Sequence, residues 1–327
     1  MRTTQYLKVN ARQPEQEIIH IVAQYIKSGE LVAFPTETVY GLGADVFNPL
    51  AVEKIFQAKG RPPENALLVH VSSLLQVDGL VKEISPTAQK LMEHFWPGPL
   101  SIILPSQSRV PEIVRGGQVG VGLRMPSHPV ALALIEATGP LAAPSANLYG
   151  RPSPTNAGHV KQDLDGSIAA VLDAGETGSG LESTLLDLSS GSCRILRSGA
   201  IRVDVLEEYM GQKIDIVQAE SLPQYIMKCQ VIISENEEDL KHKLDTLNAQ
   251  GMKTGTVHIA GMPRHKIERE SIVYDLDLSG QGVSLYSILR DAEENGVEIL
   301  VFAPLDPELA RLAPAMMDRI NRAASRE

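Results

Sequence analysis

Apolar residues recur at helical spacing over 15–28, where Ile18, Ile19, Val22, Tyr25 and Ile26 share a face and Gly29 suits the stop. The apolar run at 31–36 predicts a strand. Asn48-Pro49 is an N-cap with a first-turn proline and opens a helix to about residue 58; Ser85-Pro86 repeats the device for a helix to residue 95. Apolar runs at 67–71, 100–104, 119–125, 141–143, 169–172, 184–188 and 194–196 predict further strands. Helical patterns cover 129–138 and 203–210, and Thr155 is expected to cap another helix. The last strands have hairpin-like spacing, so the fold class is α/β with a twisted mixed sheet.

From 211 to 228 the pattern loosens around Gly211, Ser221 and Pro223. A second unit then alternates strand 230–234, helix 237–249, strand 254–259, helix 285–294, strand 297–302 and helix 307–324. Such alternation predicts a small Rossmann-like, doubly wound domain. The expected organisation is therefore a catalytic domain at 1–211, a linker at 212–229 and a C-terminal domain at 230–327.

Hydrophobic content of 43% in 327 residues is ample for buried cores, and aromatic content of 4% means that aliphatic side chains must build them. A net charge of −10 argues against a chain that grips nucleic acid by bulk positive charge, though not against a local basic cleft. The two cysteines, Cys193 and Cys229, lack the spacing of a zinc site or a disulfide framework, which fits a reducing cytoplasm. The start of the chain has no apolar leader segment, and no run is long enough to span a bilayer. No membrane association is expected.

Candidate chemistry concentrates before residue 200. In F-P-T-E-T-V-Y-G-L-G, residues 34–43, Thr36 and Thr38 lie on one side if the strand continues, and two hydroxyls on one side suit a small polar ligand. Lys59 and Arg61 follow a helix end, stiffened by Pro62-Pro63, with Asn65 adding an amide; a point charge and a fork of donors suit a polyphosphate. His70 sits in an apolar strand, where a core role and a ligand role are both open. Arg124 ends a strand and needs an anionic partner, either an internal carboxylate or, as favoured here, a substrate carboxylate beside the bulk-free Gly120 and Gly122. Ser145 and Asn147 share a long polar turn with Ser153. The glycine-rich run at 175–180 lacks the Lys-Ser/Thr of a phosphate loop. Ser183 follows it, and Arg197 ends the last strand. The eight histidines show no zinc-binding spacing, and no G-x-S-x-G elbow is present.

In order, F-P-T-E-T-V-Y-G-L-G, K-G-R-P, V-G-L-R-M-P, P-L-A-A-P-S-A-N, S-T-L-L-D and I-L-R-S-G-A-I resemble the threonylcarbamoyl-AMP synthase family, the YrdC-like enzymes of tRNA threonylcarbamoyladenosine synthesis. The resemblance covers residues 14–210, and the second unit is similar to the C-terminal domain of two-domain members. It implies that L-threonine, bicarbonate or CO2, and ATP carrying Mg2+ give threonylcarbamoyl-AMP and pyrophosphate, with no metal ligands from the protein. It implies catalytic roles for Lys59, Arg61, Ser145 and Asn147. Threonine is expected among Thr36, Thr38, His70, Arg124, Ser145 and Ser183, and ATP among Lys59, Arg61, Asn65, Asn147, Ser153 and Arg197. The product passes to a tRNA-modifying transferase complex, with at most a weak direct tRNA contact. The alternative is a non-catalytic YrdC-like RNA-binding protein, against which the retained Lys59, Arg61, Ser145 and Asn147 speak. The carbamoyl-transfer chemistry of hydrogenase maturation proteins would require acylphosphatase-like and zinc-finger segments that the chain lacks.

Two departures stand out. The family's linker pattern P-G-M-K-x-x-H-Y-A-P is replaced at 222–230 by L-P-Q-Y-I-M-K-C-Q, with Tyr225 as the candidate stand-in for its tyrosine. The C-terminal P-G-x-G-x-A-I-M-N-R pattern is reduced to A-P-A-M-M-D-R at 313–319.

Overall fold

A computed structural model describes residues 3–217, 224–261, 271–278, 283–306, 311 and 313–324. The chain divides into two compact units: Met1–Tyr149, Ser153–Thr177 and Glu182–Glu220 form the first, and Gly150–Pro152, Gly178–Leu181 and Ser221–Glu327 the second. Among the described residues no helix is long and apolar enough to cross a membrane.

The first unit holds, among the described residues, an eleven-stranded mixed sheet. Its spatial order is β1 (Gln5–Lys8), β8 (Ala170–Asp173), β2 (Val32–Pro35), β3 (Tyr40–Asp45), β7 (Leu141–Ala142), β4 (Leu68–His70), β6 (Gly120–Arg124), β5 (Leu100–Pro105), β9 (Thr184–Asp187), β10 (Arg194–Arg197) and β11 (Asp215–Ile216). Both faces are covered, and alternation along each strand decides which core a residue joins. Val32 and Phe34 enter one core with Ala170, Leu172 and Leu141, under the helices Gln16–Lys27 and Pro129–Thr138. Their neighbours Ala33, Val171 and Ala142 enter the other, under Pro49–Lys59 and Pro86–Phe95.

The expected caps at Asn48 and Ser85 form: each side chain accepts a hydrogen bond from the backbone N–H three residues on. Thr155 does not cap the next helix. Asn156 does, accepting from His159 N at 2.9 Å, while the Thr155 hydroxyl lies 3.2 Å from the His159 ring. Strands β1, β3 and β11 of this unit, and the strand Ile272–Leu276 of the second, were not among those expected from the hydrophobic pattern. β3 carries the two glycines of the decapeptide, and β11 lies inside the stretch read as linker, paired in parallel with β10.

The second unit has a four-stranded, fully parallel sheet among the described residues, ordered β12 (Gln230–Ile233), β15 (Ile299–Phe302), β13 (Thr254–Ile259), β14 (Ile272–Leu276). The helix Glu237–Ala249 packs Leu240 and Leu244 on Ile299 and Val301. Of the helix expected at 307–324, Pro314–Ala323 is described; 307–310 and 312 lie outside the described residues. So do Leu222 and Pro223 of the altered linker.

Candidate functional site

The strand expected to continue through Thr36 and Thr38 stops at Pro35. β2 and β3 are antiparallel neighbours, with Pro35 opposite Tyr40, and residues 36–39 form the turn between them. The two threonine hydroxyls still meet, at 2.8 Å, because the turn curls around Thr36 Oγ1. That oxygen accepts from the backbone N–H groups of Thr38 and Val39 at 3.2 Å each and donates to Val39 O at 2.7 Å. Thr36 therefore organises the turn, a use of hydroxyl groups common in turns. Arg124 Nη1 donates to Thr38 Oγ1 at 2.9 Å, so Thr38 directs its own proton to Thr36, whose proton is directed to Val39 O. The polarity of this chain is set by the guanidinium, which can only donate.

Arg124 is 4% exposed and ends β6, register partner of His70 at the end of β4, so both side chains leave the same face. Its Nε donates to Gly98 O at 3.3 Å. Its Nη2 lies 2.8 Å from Glu37 Oε1, so an internal carboxylate lies beside the guanidinium. The pair is close but not aligned as a hydrogen bond. Both Glu37 oxygens and Arg124 Nη2 are shut off from solvent with no hydrogen-bond partner, and His70 Nδ1 shares that condition. Burial, reinforced by the Arg124 charge, pushes the His70 pKa down to about 3, so the ring is neutral. The glycines before Arg124 do not clear space for a ligand. A Cβ at Gly122 would lie 2.6 Å from Leu68 Cδ2, and one at Gly120 2.6 Å from Ile103 Cγ2, so both make room for side chains of the neighbouring strands.

The polar row continues across the sheet. β5 pairs with both β6 and β9, which brings Ser101 Oγ within 2.7 Å of Ser183 Oγ. Arg197 donates to Ser183 Oγ at 3.0 Å and to Ser183 O through both Nε and Nη2. This approach depends on Gly199, where a Cβ would lie 2.3 Å from Glu182 O and 2.5 Å from Ser183 C. Ser153 Oγ donates to Glu182 Oε1 at 2.9 Å, next in sequence to Ser183.

The Ser-x-Asn turn runs on beside β3: Ser145 bridges Gly41, and Ala146 N donates to Tyr40 O. Lys59 is 2% exposed, and its Nζ donates to Ser145 O at 2.6 Å and Asn147 O at 2.5 Å. Tyr149 N returns a bond to Lys59 O at 2.8 Å. Tyr149 also accepts from Asn65 Nδ2 at 3.3 Å and lies under the Arg61 guanidinium, 6.0 Å from the ring centroid. Arg61 donates to Asn65 O and Ala66 O, and burial lowers its pKa without threatening its charge.

Three groups of side chains thus lie within the first unit: Thr36, Glu37, Thr38, His70 and Arg124; Ser101, Ser183 and Arg197; and Lys59, Arg61, Asn65, Tyr149 with the Ser145–Asn147 turn. The first two are joined through paired strands, the third through Tyr40–Leu42 of β3. Glu37, Ser101 and Tyr149 were not singled out as ligand-facing from sequence. A lone serine inside the apolar run 100–104 was the available signal for Ser101. Tyr225, the candidate stand-in for the linker tyrosine, lies in the second unit, where its hydroxyl is 2.7 Å from that of Tyr286 and Arg322 stacks over its ring at 4.3 Å. Among the described residues no group of three or more His, Cys, Asp and Glu could hold a metal ion.

The chain is similar to known proteins over nearly its whole length. Residues 24–199 match the Sua5/YciO/YrdC family model, described as telomere recombination, and residues 222–325 match the threonylcarbamoyl-AMP synthase C-terminal domain. The threonylcarbamoyl-AMP synthase of Pyrococcus abyssi is 37% identical over 97% of this chain and 97% of its own. That of Bacillus subtilis is 37% identical over 92% and 91%, respectively. The crystal structure of P. abyssi Sua5 complexed with L-threonine superposes with a TM-score of 0.86 at 35% identity, covering 98% of both chains.

Proposed function

The chain belongs to the threonylcarbamoyl-AMP synthase family, and on that premise we propose how its own residues carry the reaction. It is an enzyme of the nucleotidyltransferase type that makes threonylcarbamoyl-AMP for tRNA modification. The substrates are L-threonine, bicarbonate or CO2, and ATP, and pyrophosphate leaves. Magnesium arrives on the nucleotide as part of the substrate. The product goes to a separate transferase that modifies tRNA.

The observation that carries this reading is the buried row at the ends of β4 and β6. Arg124 presents an unsatisfied N–H beside the Thr38 hydroxyl and a neutral His70. A guanidinium suits a carboxylate, and a neutral imidazole with a free nitrogen suits a hydroxyl. Threonine offers both groups. Ser183, held by Ser101 and Arg197, closes the row.

Carbamate formation joins threonine's nitrogen to the carbon of CO2 with loss of a proton. A carbamate oxygen then bonds to the α-phosphorus of ATP as the bond to pyrophosphate breaks. Such a transfer needs positioning and charge stabilisation more than a covalent nucleophile. Arg61, Asn65, Asn147, Ser153 and Arg197 bind the nucleotide, Arg61 as the cation facing its phosphates. Lys59 acts through the backbone, holding the Ser145–Asn147 turn that faces ATP and threonine by two of its carbonyls.

The test is pyrophosphate release from MgATP by the purified chain, with threonine and bicarbonate supplied together and each omitted in turn. Release that requires both is expected. ATP binding without release would overturn the reading in favour of an RNA-binding relative. Arg124→Ala is expected to weaken threonine far more than ATP in calorimetry, and equal losses would remove Arg124 from the threonine site.

A further inference from the structure

Glu37 has no role in the reaction as derived above, yet it is the side chain that meets Arg124. A buried carboxylate is costly unless it is both paired and hydrogen-bonded. Here the Glu37 side chain is 20% exposed but both its oxygens are shut off from solvent; Oε1 is paired with Arg124 Nη2 at 2.8 Å, and none of these three atoms makes an aligned hydrogen bond. The turn around Thr36 fixes the backbone on either side of Glu37, so the carboxylate is held in place by more than its partner. His128, the other ionisable group beside Glu37, accepts from Val130 N at its own helix start. The buried ion pair therefore presents one unsatisfied cationic donor and two unsatisfied anionic acceptors side by side. An amino acid carries the complement on a single carbon, an α-carboxylate and an α-ammonium.

We infer that Glu37 is the ammonium contact of the amino-acid substrate, so that Arg124 and Glu37 together recognise the zwitterion and Glu37 specifies an amine at the α-carbon. This rests on threonine being the substrate. In the absence of ligand the two side chains neutralise one another; on binding, the guanidinium turns to the carboxylate and the carboxylate receives the ammonium's N–H groups. Charge-assisted hydrogen bonds of this kind are the strong ones, and losing one costs about tenfold or more in affinity.

The test is calorimetry on the full chain with L-threonine and with 3-hydroxybutanoate, which keeps the carboxylate and hydroxyl but lacks the amine, for wild type and Glu37→Gln. Wild type should bind threonine at least about tenfold more tightly than 3-hydroxybutanoate. Glu37→Gln should lose most of that preference by weakening threonine alone, with ATP binding retained as the sign of an intact fold. Equal binding of the two acids by wild type would overturn the inference without any variant. Parallel weakening of both acids in Glu37→Gln would also overturn it, because it would mean that Glu37 only orients Arg124. Failure of wild type to bind threonine, with ATP still bound, would instead overturn the substrate assignment on which the inference stands.

Discussion

His70 makes the stability of the first unit depend on pH in a way that can be calculated. Burial beside the Arg124 charge lowers its pKa to about 3, against about 6.5 for an exposed imidazole in the unfolded chain. Between those values the unfolded state binds a proton that the folded state refuses. Stability is therefore complete above the unfolded pKa and falls as pH drops toward 3, with a limiting slope of about 1.4 kcal/mol per pH unit. Integrated from pH 7 to pH 5, the loss assigned to this ring is about 2 kcal/mol. The chain has one tryptophan, Trp96, which is buried in the first unit with Nε1 donating to Leu100 O at 2.7 Å. Its fluorescence follows denaturation of that unit. Urea titrations at the two pH values should show wild type losing about 2 kcal/mol more than His70→Gln, whose amide does not titrate. The absolute stability of the variant is immaterial, since only the difference in pH dependence is compared. Equal losses would refute the reasoning and mean that the ring takes up a proton in the folded state.

Three further outcomes follow from the same geometry. Lys59→Met leaves two buried carbonyls without their charged donor and should lower the unfolding free energy by about 3 kcal/mol in Trp96-monitored urea titrations; unchanged stability with lost ATP binding would show that the ammonium serves phosphate instead of the turn. Gly199→Ala forces the Glu182–Ser183 backbone away from contacts of 2.3 and 2.5 Å and should raise the threonine KM about tenfold or more, which steady-state pyrophosphate release would measure; an unchanged KM would remove Ser183 from the threonine site. Gly122→Ala should cost about 1–3 kcal/mol by overpacking against Leu68, and Leu68→Ala in the same chain should recover part of it; additive effects would show that the two positions do not press on each other.

The elements legible in the sequence were those with strong local signals. Asn48-Pro49 and Ser85-Pro86 marked helix starts because capping is a local hydrogen bond. Two of the strands missed, β1 and β3, depend on a distant partner. β1 has one large apolar pair in Tyr6-Leu7 and exists because it lies beside β8. β3 contains Gly41 and Gly43, poor strand formers chosen because the Phe34 ring lies where their side chains would be. Reading β3 as loop made Thr36 and Thr38 look like the tip of a continuing strand. That they form a turn follows only once β2 and β3 are known to pair. Arg124 was recognised as needing an anion, but the choice of anion was a question of tertiary distance, and Glu37 becomes its neighbour through that same turn.

The site separates side chains that face a ligand from those that shape the backbone, and residue type alone does not predict which is which. Lys59, the residue most expected to face phosphate, is directed at two carbonyls, while Thr36 holds its own turn. Both are surrounded by partners that satisfy them. The groups without an aligned hydrogen bond among Thr36, Glu37, Thr38, His70 and Arg124 are the Glu37 carboxylate, His70 Nδ1 and one nitrogen of Arg124. A buried polar atom without a partner raises the free energy of the empty protein, and a ligand that supplies the partner recovers that free energy on binding. Here such atoms coincide with the proposed threonine site. Their number and sign here, one cationic donor, one carboxylate and one neutral nitrogen, match a hydroxylated amino acid more closely than a nucleotide phosphate. The proposed amino-acid end of the site thus leaves side chains without hydrogen bonds, and the proposed nucleotide end clamps a turn.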